Sequence, residues 1–119
     1  MSGASSLGDY LDHMLEAARL ACSHTEGIGK EPFLADKRTQ QAVIMNLVII
    51  GEAATKLPKD HADFLEAHPD VPWKNMKGMR NRVAHGYFEI KLDVVWETVQ
   101  SALPELHAKL CAIRDAGPV

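Results

Sequence analysis

The sequence predicts an all-α protein, an up-and-down bundle of about four to five helices. Three observations carry this. Apolar residues recur at helical spacing in segment after segment, and no alternating apolar run bounded by turn residues competes for a strand. The length, 119 residues with 46% hydrophobic content, suits one domain with a single core. No repeat, linker or low-complexity stretch divides the chain, so residues 1–119 read as one helical domain, with about six N-terminal and five C-terminal residues loose.

The first helix rests on a stripe of Leu7, Tyr10, Leu11, Met14, Ala18, Ala21 and Cys22. Ser6 followed by Asp9 has the form of a capping box with a shortened acid, and Gly27 and Gly29 in GIGK stop the helix. A second, longer helix begins at Asp36 as N-cap and runs to about Leu57, before Pro58. Its middle, Ala42 to Ile50, is apolar nearly all round, interrupted only by Asn46, so two of its faces need covering. One cover is the chain's own bundle. The other is a second subunit, which makes a homodimer through this helix an expectation.

A short third helix spans Asp60 to Ala67 and ends at His68-Pro69, followed by a PDVPW loop that Trp73 plugs into the core. The fourth runs from near Asn75 to Gly86, with Met76, Met79 and Val83 on its buried side. The last runs from Leu92 to Arg114 on a stripe that includes Val95, Val99, Leu103, Leu106 and Leu110. Pro104 inside it predicts a kink over Gln100 to Pro104.

Composition limits the function classes. The formal net charge is −3 and the isoelectric point is near 6.0, so the chain is no general nucleic-acid coat. Cys22 and Cys111 show no metal-ligand spacing and read as buried free thiols. His13, His24, His61, His68 and His107 lack zinc-ligand spacing, and no metal and no cofactor is expected. The N-terminal stretch has no basic and apolar halves of a signal peptide, and Ala42 to Ile50 is too short to span a bilayer. A soluble, cytoplasmic protein with no membrane contact is expected.

The chemistry concentrates in one place. KNMKGMRNR, residues 74–82, carries Lys74, Lys77, Arg80 and Arg82 and no acid, and it leads into RNRVAHGYF, residues 80–88. Arginine offers planar paired donors to phosphate oxygens, and an imidazole beside it can move a proton. Arg80 and His85 are about 140° apart on an ideal helix, so they share a pocket only if the helix ends near Gly86 and the long arginine reaches along the axis. The residues alone leave two readings open: a phosphate-handling site, or a solvated basic face with a capping histidine. Glu52, polar on an apolar helix, is open in the same way, between a buried structural hydrogen bond and a role beside Arg80.

RNRVAHGYF resembles the signature of the HEPN superfamily: an arginine, a polar neighbour such as Asn81, a short spacer and a histidine. Tyr87, two residues after His85, narrows the resemblance to the HepT-like branch. So do the run DKRTQQAVIMNLVIIGEAA from Asp36 to Ala54, PWKNMKGMRN, and LDVVWETV at the start of the last helix. The likeness covers the chain from about Tyr10 to Leu110. It implies a small HEPN-like helical homodimer. The activity implied is that of the toxin of a type II/VII-like toxin–antitoxin pair, a metal-independent endoribonuclease. Its implied partners are RNA and a cognate antitoxin, an MNT-type nucleotidyltransferase that transfers AMP to the motif tyrosine. Position by position, Arg80 would hold the scissile phosphate and His85 would act as acid–base group. Asn81, Arg82 and Lys77 would orient these groups or bind RNA, and Tyr87 would be the AMPylation site. Lys91 departs from the family, which often has an acid there, and Asp93 is expected to cap the last helix instead. The alternative is a non-catalytic HEPN module that binds nucleotides or a nucleotidyltransferase without cutting RNA.

Overall fold

The computed structural model describes residues 6–117. The helices are α1 (Leu7–His24), α2 (Lys30–Ala35), α3 (Lys37–Ala67), α4 (Trp73–Gly86), α5 (Leu92–Glu97) and α6 (Leu103–Ala116). A 3-10 turn, Tyr87–Glu89, follows α4, and a π turn, Thr98–Ala102, joins α5 to α6. The expected loose ends fall mostly on residues 1–5 and 118–119, outside the described residues; Ser6 caps α1, and Asp115 and Ala116 belong to α6. The fold is the all-α bundle the sequence predicts, with no strand among the described residues.

The caps explain where helices begin. Ser6 Oγ accepts from the Asp9 amide at 3.1 Å and the Asp9 carboxylate accepts from the Ser6 amide at 3.3 Å, a reciprocal capping box. Asp36 caps α3 by accepting from the Thr39 amide at 3.2 Å and the Thr39 hydroxyl at 2.6 Å. After α1 the chain turns at Gly27, whose φ of 79° lies in the left-handed region that only glycine adopts cheaply.

Three elements differ from expectation. Residues 30–35, to which the sequence assigns no helix, form α2, which seats the fully buried Phe33 against Trp96 at a ring separation of 5.3 Å. The helix starting at Asp36 does not stop before Pro58. It runs past Pro58 to a kink at His61, where the backbone leaves helical geometry (φ −135°, ψ 39°), and a second helical stretch follows to Ala67, so the expected second and third helices are both present and meet directly at that kink. In the last helix, Pro104 cannot donate to the preceding turn. The chain absorbs this with the π turn, where the Leu103 amide reaches back to the Thr98 carbonyl. Asp93 does not cap α5; it pairs with Lys30 at 3.3 Å, and Lys91 occupies the cap position with no side-chain bond.

The core sits between α1 and α3. Leu11, Met14, Ala18 and Ala21 meet Val43, Leu47, Ile50, Ala54 and Leu57, and Leu103, Leu106 and Leu110 of α6 close the side of α1. Helix α4 packs on the other side of α3, while α5 and α6 pack on α1 and α2. The apolar middle of α3 is therefore covered by α1 on one side and α4 on the other. Its remaining face leaves Met45 (59% exposed) and Ile49 (38%) in solvent. Trp73 opens α4 instead of sitting in the loop before it, and its indole donates to the His68 carbonyl at 3.0 Å. Both cysteines are free thiols; burial pushes the Cys22 thiol up. Among the described residues no helix is long and apolar enough to cross a membrane, and no group of three or more His, Cys, Asp or Glu could hold a metal ion.

Candidate active site

Helix α4 carries the polar cluster, and its position depends on α3. Gly51 faces α4 where the two backbones come closest. A methyl group there would collide with Arg80 Cβ and lie 2.7 Å from the Met76 carbonyl oxygen. Glycine at that point lets Met76 bury against α3 and brings the root of Arg80 onto the α3 surface. The next residue, Glu52, accepts a hydrogen bond from Arg80 Nε at 3.0 Å. From the other side Asn81 Oδ1 accepts from Arg80 Nη1 at 2.9 Å. The Glu52–Arg80 ion pair is half-buried, with side chains 36% and 30% exposed. Glu52 thus stands beside Arg80, the second of the two roles open to it from the sequence. Asn46, the other polar residue of the apolar stretch, turns back onto its own helix and donates to the Ala42 carbonyl at 2.9 Å.

One turn on, α4 ends at Gly86, which has φ −155° and so does not use the left-handed region. The 3-10 turn then redirects the chain toward α5. Between the end of α4 and α5 opens a cleft of ≈ 770 Å³. Asn81, Arg82 and His85 line one side, Glu89 and Lys91 the rim, and Met79, Ile90, Val94 and Val95 the apolar floor. Its charged groups are Arg82 and Lys91 against the single carboxylate of Glu89, with the His85 imidazole beside them. That is a local cationic cleft on an acidic chain, suited to a phosphate group with an apolar surface for a base.

The sequence-predicted residues separate into three groups. Asn81, Arg82 and His85 share the cleft. Arg80 does not line it: its guanidinium lies on the α3 side, so although α4 ends at Gly86, Arg80 and His85 do not share this cleft within a single chain. The reason is angular. Arg80 follows Met76 by one helical turn and shares its inward face, whereas His85 is turned away from it. Asn81 touches both regions, lining the cleft while accepting from Arg80. Tyr87, in the 3-10 turn, is 43% exposed and packs edge-on against Phe88, which is fully exposed. Lys77 is exposed on α4, outside the cleft. The sequence reading missed Glu89 and Lys91 as cleft residues and Gly51 as the closest approach of α3 to α4. For Gly51 a signal existed: a glycine inside an apolar helical stretch, next to Glu52, marks a neighbour coming close.

The sequence is similar to known proteins. A family model described as Ribonuclease HepT-like matches residues 14–113. A relative named "Probable ribonuclease HepT", from Thermococcus cleftensis, is 42% identical over 106 residues, covering 89% of this chain and 94% of that protein. Another, named "Putative RNase" and found in Caldanaerobacter subterraneus subsp. tengcongensis, is 38% identical over 101 residues, covering 85% of this chain and 88% of its own length. No solved structure matches the chain significantly. With the family match spanning the bundle and the whole of α4, the chain belongs to the HepT-like ribonuclease family of HEPN-type helical proteins.

Proposed function

We propose that the protein is a metal-independent endoribonuclease, the toxin of a toxin–antitoxin pair. The single observation that carries this reading is the exposed His85 in a cationic cleft, joined through Asn81 to a guanidinium held ready for phosphate. RNA supplies its own nucleophile. The 2′-hydroxyl loses its proton and attacks phosphorus, the P–O5′ bond breaks, and the leaving oxygen takes up a proton. The products are a 2′,3′-cyclic phosphate and a free 5′-hydroxyl. His85 moves the proton, and Arg80 stabilises the charge that builds on the phosphate oxygens.

Arg80 and His85 look in different directions from one helix. A two-fold pairing of chains would bring the motif regions together and let one subunit's arginine meet the other's histidine. The exposed Met45 and Ile49 on α3, with Phe88 beside the motif, supply apolar surface for such a homodimer. Tyr87 stands in solvent, where a nucleotidyltransferase partner could place AMP on its hydroxyl and block the cleft beside it. Lys77 and Arg82 add sequence-independent attraction for the RNA backbone.

The test is substrate chemistry. RNA incubated with the protein in chelator should give fragments ending in 2′,3′-cyclic phosphate, and the same oligonucleotide with one 2′-deoxy position should resist cutting there. Cleavage at a 2′-deoxy position, or binding with no cleavage at all, would overturn the reading.

A further inference from the structure

We propose that Gly51 and Glu52 of α3 form a seat that orients the Arg80 guanidinium, which makes Glu52 a positioning residue for the reaction. This rests on the ribonuclease reading above and adds a residue to its machinery.

Two constraints act on one side chain. Gly51 fixes its root, because α4 can approach only where α3 lacks a Cβ. Glu52 and Asn81 fix its plane, each accepting from a different nitrogen, at 3.0 and 2.9 Å. A guanidinium has five N–H donors, and these two bonds use one on Nε and one on Nη1. Among the described residues nothing engages Nη2. One hydrogen on Nη1 and both on Nη2 stay available, enough donors to meet two phosphate oxygens. An arginine free in solvent would have to be ordered by each substrate. Here part of that ordering is complete before RNA arrives.

The sign of the charge makes the seat distinguishable from simple attraction. The Glu52 carboxylate opposes the phosphate it helps Arg80 to meet. Removing it should leave RNA binding unchanged or tighter while cleavage slows. A merely structural residue would not split the two in that direction.

The experiment compares wild type with Glu52→Ala and Glu52→Gln, measuring RNA affinity and single-turnover cleavage. Glu52→Ala should cleave about 10- to 100-fold more slowly with affinity unchanged or improved. Glu52→Gln, whose amide oxygen can still accept from Nε, should recover most of the rate. A Glu52→Ala protein that cleaves within about twofold of wild type, or loses rate and affinity together without rescue by glutamine, overturns the seat. A second readout does not depend on activity: the NMR signal of the Arg80 Nε–H should be protected from solvent exchange in wild type and exposed in Glu52→Ala. Fast exchange in wild type would also overturn the proposal. If wild type proves not to cut RNA, the ribonuclease reading fails, and this signal still decides the seat.

Discussion

Arg80 and His85 occupy one helix, yet the guanidinium of Arg80 rests on Glu52 of α3 while His85 faces the cleft toward α5, with Asn81 touching both. If each cleavage site takes its arginine from one subunit and its histidine from the other, two inactive variants should complement. Arg80→Ala and His85→Ala proteins, co-refolded in equal amounts, should regain about a quarter of wild-type activity, because half the dimers are mixed and each of those has one of its two sites intact. A mixture as inactive as its parts would place both groups in the same subunit's site.

Gly51 carries a stability prediction. The atoms a Gly51→Ala methyl would strike belong to the root of Arg80 and the backbone of α4, neither of which can swing aside. Separating the two helices should cost about 1–3 kcal/mol, read as a lower denaturation midpoint. Cleavage should fall further than the melting change explains, since the same shift lifts Arg80 from Glu52. An unchanged midpoint would mean that α4 can slide on α3 at no cost.

Tyr87 separates modification from catalysis. Its ring is in solvent outside the cleft lining, so Tyr87→Phe should cleave RNA at nearly the wild-type rate. On the proposed AMPylation of Tyr87, the same variant, incubated with a nucleotidyltransferase partner and ATP, should gain no AMP by mass spectrometry and should stay active. Loss of cleavage in the variant alone would give the phenol hydroxyl a part in the chemistry.

Asp36 gives a pH prediction at the start of α3. The Thr39 hydroxyl, and then the Thr39 amide, hold its carboxyl below the ordinary value of 3.8. The stability it contributes is present in full above that ordinary value and disappears as pH falls through the lower, folded value. Asp36→Asn keeps an oxygen for the cap and does not titrate. The stability difference between it and wild type should be flat near neutrality and should change only in acid. A change between pH 6 and 8 would point to a different group.

The sequence made the bundle legible because apolar spacing and caps act locally. Ser6 with Asp9, and Asp36 with Thr39, mark their helix starts without help from the rest of the fold. Breaks were harder to place, because proline removes one donor without specifying how the chain responds. At Pro58 the helix continues and bends at His61, and at Pro104 it widens into a π turn. Helix α2 was hidden because its six residues are too few to show a period; Phe33 is held by α3 and Trp96 and not by any local signal. In the site, residue types and spacing identified the cluster, and the direction of Arg80 did not follow from them. That direction depends on Gly51 and Glu52, some thirty positions earlier, through a close approach of two helices that no local pattern encodes.

The central claim is that His85 moves the proton in RNA cleavage. It is tested most directly by purified wild type and His85→Ala protein, each incubated with the same RNA in chelator, after circular dichroism shows equal helicity and melting. His85 is exposed, so its removal should leave the fold intact. The account predicts cleavage by wild type and a loss of at least about 100-fold in the variant, at unchanged RNA affinity. A His85→Ala protein that cleaves as fast as wild type would contradict it.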